Sequence, residues 1–166
     1  MTDAKWLDEY SGQTVEQLIG LEGEYRTDSI VLAFEQALDR KASTAGSRAL
    51  TSEERVVLAV DAMEREVNNG GVDQFFTNSS REYASTIVSS LQRIGCHATA
   101  EIMQRAVTAL GLPDLNAEKI EAAMAGENET RDEEFSICDD LYYNAGEDIA
   151  GLLLAFIKAN KPAFNL

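Results

Sequence analysis

Apolar residues recur along this chain at steps of three and four, the spacing of one face of an α-helix, and alternate nowhere for more than a few residues. Val15, Leu18 and Ile19 mark a short first helix, opened by a Thr14/Gln17 capping box. A second helix is predicted from about Asp28 to Arg40, with Ile30, Val31, Phe34 and Leu38 on one face. Residues 41–50, KASTAGSRAL, carry no period and are rich in small side chains, so they read as a loop.

A third helix begins at the box Thr51-x-x-Glu54 and carries Val56, Val60, Met63 and Val67 as a core stripe. Asn68-Asn69-Gly70-Gly71 stops it, because Asn and Gly tolerate the left-handed backbone of a helix end. The following VDQFFTN reads as a compact turn. Ser79-x-x-Glu82 is expected to cap a fourth helix that buries Tyr83, Ile87, Leu91 and Ile94 and ends at Gly95. A fifth helix covers about Ala98 to Leu110, and a sixth Pro113 to Met124. Two more follow, over about Thr130–Ala145 and Glu147–Asn160. The expected fold class is therefore all-α, a compact bundle of about eight helices with short loops. Residues 1–50 form an N-terminal helical hairpin and loop in this reading, and 51–166 the main helical domain.

Charge changes the picture most. There are 29 Asp and Glu against 14 Lys and Arg, a net −15. A surface this negative repels phosphates, which excludes direct nucleic-acid binding and anionic membranes and favours basic partners. The 45% apolar content nonetheless permits a packed core. The acidic stretch Met1 to Tyr10 is not a signal peptide, and the longest apolar run, Ile149 to Ile157, is too short to span a bilayer. Two cysteines, Cys96 and Cys138, read as free thiols in a reducing cytoplasm.

Catalytic chemistry finds little support. His97 is the single histidine, and it follows Cys96 directly, so the two side chains diverge at a helix start. One His and two distant Cys do not make a zinc site, and the acids at Asp132–Glu134 lack the alternating ligands and central Gly of a calcium loop. Asn69-Gly70-Gly71 follows a helix, not the strand that precedes a phosphate loop. No catalytic residue, metal or cofactor is expected.

One segment is more specific. Glu64-x-Glu66-Val67-Asn68-Asn69-Gly70-Gly71, followed by Asp73-Gln74-Phe75-Phe76-x-Asn78-Ser79-Ser80, resembles the signature of the DNA-mimic-protein domain family, a bacterial group of acidic helical proteins. Asp140-x-Tyr142-Tyr143, Glu147-Asp148-Ile149, Leu153, Phe156-Ile157 and Phe164 are similar to the family's C-terminal helix pair. The resemblance covers roughly residues 50–166 and departs at Val72, where an aromatic is usual. It implies a helical fold and, for some members, imitation of DNA toward DNA-binding proteins.

Two groups of residues are candidates for function. Between Glu127 and Asp148 lie nine acids and one base, Arg131, a net −8 in 22 residues. On a wheel of about 100° per residue with Glu129 at zero, Asp132, Glu133, Asp139 and Asp140 fall between about −80° and 40°. Phe135, Ile137, Cys138, Leu141, Tyr142 and Ala145 fall between about 80° and 240°, so the helix is expected to carry one acidic and one buried face. Glu129, Asp132, Glu133, Asp139, Asp140, Glu147 and Asp148 are the expected partner-binding carboxylates. They would stand in for phosphates toward a basic DNA-binding protein, a transcription regulator or a nucleoid protein. Duplex DNA carries about one charge per 1.7 Å, so one helix face is several-fold too dilute and needs neighbours. The plainer reading is a solvated face that keeps the protein in solution. The second group is the junction of Asn68, Asn69, Gly70, Gly71, Asp73, Gln74, Phe75, Phe76, Asn78 and Ser79. It is either a helix–turn–helix corner satisfied by capping or a pocket for a small ligand or peptide. A third alternative is an immunity-type interaction protein whose specificity lies in the first fifty residues. The chain is expected as a monomer or homodimer.

Overall fold

The computed structural model describes residues 3–166; Met1 and Thr2, the start of the acidic N-terminal stretch, lie outside them. Among the described residues there are nine α-helices and no strand, so the class is all-α. None of these helices is long and apolar enough to cross a membrane.

Local capping chemistry places the first elements where the spacing predicts them. In α1 (Val15–Ile19) Gln17 N donates to Thr14 Oγ1 at 3.2 Å, and Thr14 N to Gln17 Oε1 at 2.9 Å. The same reciprocal pair, Thr51 and Glu54, opens α3 (Ser52–Gly70) at 2.9 and 3.1 Å. Between them α2 spans Thr27–Ala45, so residues 41–45 are helix rather than loop. Ala42 and Ala45 favour helix, and Thr44 Oγ1 donates back to Arg40 O at 2.9 Å. Lys41 is held by three bonds described below. The outward small residues of this last turn give no apolar period, so the spacing does not mark it as helix.

The segment after Gly71 also differs from expectation. VDQFFT is a helix, α4 (Val72–Thr77), not a turn. Ser79 caps nothing, and Ser79–Tyr83 is a 3-10 turn that leaves α5 only Ile87–Arg93. The reason is in the neighbours. Ser80 Oγ donates to Phe75 O at 2.8 Å, and Arg81 Nη1 donates to Thr77 O at 2.6 Å and Asn78 O at 3.1 Å. These bonds satisfy the last carbonyls of α4 and hold the chain in the tighter turn. Then come α6 (His97–Ala109), α7 (Ala117–Ala125), α8 (Glu129–Ala145) and α9 (Ile149–Ala159). α7 starts four residues later than Pro113, where Asn116 Oδ1 accepts from Glu118 N at 2.8 Å.

The chain forms two units, one made of the residues up to Leu58 with Asp148–Leu166, the other of Ala59–Glu147. In the first, α2 packs on α9. Ile30, Phe34, Leu38, Leu153 and Ile157 are buried, and the Phe34 and Phe164 rings meet edge-on at 6.2 Å. Beside them lies a buried ion pair. Lys41 Nζ donates to both Glu54 carboxylate oxygens and to Asn165 O, each at 2.8 Å, and Asn165 N donates to Glu54 Oε1 at 2.9 Å. Thr51 Oγ1 donates to Ala163 O at 2.9 Å. The start of α3 is thereby tied to the residues after α9.

In the second unit α8 packs on α6 and α4, and α5 on α6. Phe75, Phe76, Met63, Ile87, Leu91 and Met103 are fully buried. Phe76 stacks on Phe135 at 5.3 Å and meets Phe75 edge-on at 5.0 Å. Burying each such side chain contributes about 1.5–3 kcal/mol.

Candidate functional site

The acidic segment is built around α8. Asn128 caps it, its Oδ1 accepting from Arg131 N at 3.0 Å. The inward residues are Arg131, Phe135 and Cys138, with Tyr142 half-buried. They lie between about 180° and 240° on the wheel given above. Ile137 and Leu141, expected inside, are 41% and 43% exposed. The rotation follows from packing: Phe135 is drawn to Phe76, and Cys138 Sγ to Ile102 O at 3.7 Å. The apolar face of α8 is therefore narrower than its apolar residues suggest.

Rotating the helix brings Asp139 inward. Val72 N, the first helical N–H of α4, donates to Asp139 Oδ1 at 2.7 Å. Burial raises this carboxyl, the Val72 bond opposes that, and the nearby charges of Asp140 and Asp73 add to the rise. Gly71 must be glycine for the approach. Its φ is +87°, and a Cβ there would sit 2.5 Å from Asp139 Oδ2.

Glu147 has a similar role at α6. Cys96, the residue before that helix, offers it no side-chain cap. Glu147 accepts instead from Ala98 N at 3.1 Å, Thr99 N at 2.8 Å, Thr99 Oγ1 at 2.6 Å and Cys96 Sγ at 3.0 Å. Burial works to raise its carboxyl, but these donors outweigh burial and hold it at about 2. Conversely, burial and the Glu147 bond push the Cys96 thiol up to about 12, so it stays protonated. Asp148 caps α9, accepting from Gly151 N at 3.0 Å.

Four expected carboxylates remain on the outside of α8. Glu129, Glu133 and Asp140 are exposed, and none has an ion-pair partner among the described residues. Asp132 is exposed and pairs with Arg131 at 2.8 Å. Arg131, the lone base of the segment, is itself buried; it donates to Ala123 O at 2.6 Å and Gly126 O at 3.2 Å at the end of α7. There it meets the negative end of that helix. The lone cation of the segment is thus buried, and of the acidic face it engages Asp132 alone. Glu134 is paired with Arg105 at 2.6 Å.

At the junction, polar side chains bind one another. Asn78 Nδ2 donates to Glu66 Oε2 at 2.7 Å and Gln74 Oε1 at 3.3 Å, while Gln74 packs against Gly70. Thr77 Oγ1 donates to Asp73 Oδ2 at 3.4 Å. Asn68, Asn69 and Ser79 are exposed, and Phe75 and Phe76 are core. Among the described residues no three His, Cys, Asp or Glu side chains gather as a metal-binding group. Sequence reasoning missed the roles of Glu147 and Arg131. The first had a signal, a helix opening on Cys96 with no capping residue of its own; the second had none.

A protein-family model described as DMP19-like protein matches residues 48–160. No curated protein matches the chain.

Proposed function

The chain belongs to the DMP19-like protein family, and from that premise we propose that it is a non-enzymatic acidic binding protein that mimics DNA. It would occupy the DNA-binding surface of a basic partner, a transcription regulator or a nucleoid protein. The observation that carries the reading is the outer edge of α8. Glu129, Asp132, Glu133 and Asp140 stand there exposed, and the one cation of their segment is buried and pairs with Asp132 alone. Between Glu129 and Asp140 the helix rises about 16 Å, so the four carboxylates lie on average about 5.5 Å apart along it. That is wider than the 3.4 Å per charge of one DNA strand, and about a third of the duplex density. The remainder must come from further carboxylates of the same unit, where Glu101, Glu118 and Glu127 are exposed. Such a surface attracts a basic cleft over a distance that salt controls.

Competition with DNA tests the reading. DNA-binding proteins of the host, loaded with labelled duplex, are mixed with the protein at about 50 and about 200 mM salt. Release of duplex is expected at low salt, falling steeply at high salt. The variant Glu129→Gln/Asp132→Asn/Glu133→Gln/Asp140→Asn is expected to release at least about tenfold less, a loss of 1.4 kcal/mol or more in affinity. Asp139 and Glu147 stay unchanged, because they hold helices. A neutralised variant that releases duplex as well as the native chain would end the proposal.

A further inference from the structure

We infer that the groove between α6 and α8 receives an amphipathic helix of the partner, with aliphatic side chains on one edge and Lys or Arg along the next. The inference rests on the reading of α8 as a partner-binding element and adds what pure charge imitation lacks, an apolar contact. Ile137 and Leu141 are the two large aliphatic side chains that stand exposed among the described residues, at 41% and 43%. Scattered single exposures mean little, but these two lie one turn apart on one helix face. Leu141 also lines an open groove of about 450 Å³ whose walls include Ala98, Ile102 and Arg105 of α6 and Asn144 of α8. Ala98, Ile102, Leu141 and Ala145 supply its apolar lining. Arg105 stands at one end, but Glu134 engages it through two bonds, at 2.6 and 3.2 Å, so its charge is neutralised.

The rim supplies the complementary charge. On the α8 wheel Glu129, Asp140 and Glu133 lie at about 0°, 20° and 40°, and Ile137 and Leu141 at about 80° and 120°. An acidic stripe therefore runs alongside an apolar one, both facing solvent. Glu101 adds a carboxylate on the α6 wall. The groove's α6 wall, from Ala98 to Arg105, is about 10 Å long, which matches two turns of a docked helix. A duplex offers nothing that seats in such a groove. A helix with aliphatics at i and i+3 or i+4 fills it while its basic edge meets the acidic stripe.

Two synthetic peptides test this directly. Both contain the same Leu, Lys and Ala residues. One places Leu at helical spacing with Lys along the adjacent edge, and the other scrambles the order. Binding to the full chain is read by fluorescence anisotropy, and the site by amide shifts. The ordered peptide is expected to bind about tenfold tighter than the scrambled one and to shift the amides of Ala98, Ile102, Leu141 and Asn144. Ile137→Ser/Leu141→Ser is expected to erase that preference, leaving weak, salt-sensitive binding of both peptides. The replaced side chains are exposed, so helicity and the unfolding midpoint serve as controls for folding. Equal affinity for the two peptides, or a serine variant that keeps the preference, overturns the inference. So does sedimentation showing that native chains pair through this face and serine variants do not, since the occupant is then a second copy. Failure here is distinguishable from failure of DNA mimicry. The serine variant should still displace duplex through charge if mimicry alone holds. The carboxylate variant should still prefer the ordered peptide if the groove alone holds.

Discussion

The two units of this chain handle acidity differently. The unit formed by the residues up to Leu58 with Asp148–Leu166 has 12 Asp and Glu against 8 Lys and Arg, a net −4. Ala59–Glu147 has 17 against 6, a net −11. In the first, carboxylates find cations: Lys5 with Glu24, Arg26 with Asp28, Lys158 with Glu22, and Lys41 with the buried Glu54. In the second, Arg65, Arg81, Arg105, Lys119 and Arg131 also pair with carboxylates, but acids outnumber cations almost threefold, and two of the surplus, Asp139 at α4 and Glu147 at α6, accept from backbone N–H groups. Glu129, Glu133 and Asp140 stand exposed to water. A carboxylate at a helix N-terminus is stabilised by the helix without neutralising the surface charge. A fold can therefore use part of its acid structurally and remain strongly negative outside, whereas ion pairing removes charge as it stabilises.

The sharpest way to break this contrast is in the paired unit. Lys41→Met leaves Glu54, fully buried, without its cation. The expected loss is about 3 kcal/mol, the range for one partner removed from a buried pair, read as a lowered urea midpoint. The loss should barely change with salt, because the pair is shielded from solvent ions. A loss below about 1 kcal/mol would mean that the N–H groups of Thr51 and Asn165 hold Glu54 unaided, as in the other unit.

In the acid-rich unit the corresponding change is Glu147→Gln. Its carboxyl titrates at about 2 in the folded chain, against an ordinary value near 4.3. The sign follows from a lowered value: the stabilisation is fully present above about pH 4.3 and is lost as pH falls toward 2. At neutral pH the variant should be about 2 kcal/mol less stable, a figure reduced for the solvent that still reaches the group. Unfolding curves for both forms should converge with acid. Parallel curves from pH 7 to pH 2 would show that the glutamine amide supports α6 as well as the carboxylate does.

These two sites also show which parts of the fold were legible in sequence. Thr14 with Gln17 and Thr51 with Glu54 act across three residues, and both boxes form as spaced. The buried face of α2 follows its apolar period through Ile30, Phe34 and Leu38. Glu147 reaches back 48 residues to Thr99, and Asp139 reaches 67 to Val72, distances over which spacing carries no information. Ile137 and Leu141 have the right period for a core and lie outside it, because Phe76 and Ile102 fix the rotation of α8. Charge counting located the acidic segment, but only packing separates the carboxylates that hold helices from those that face solvent.

Asp139 lies on that dividing line and gives the smallest expected effect. Asparagine keeps an oxygen that can accept from Val72 N while removing the charge. Asp139→Ala removes both and should lose about 1 kcal/mol, as for a lost helix cap. Asp139→Asn should fall within about 0.5 kcal/mol of the native chain and on the stabilising side at neutral pH. The direction follows from the raised carboxyl: ionising it in the fold is unfavourable, so the native chain loses stability as pH climbs through the folded value, and the asparagine form does not. The gain should be larger in low salt, where repulsion from Asp140 and Asp73 is less screened. Urea midpoints of the three forms at pH 7 and at acid pH decide it. If asparagine loses as much as alanine, the charge on α4 is itself stabilising, and the acid-rich unit gains more from its carboxylates at helix ends than it loses to their mutual repulsion.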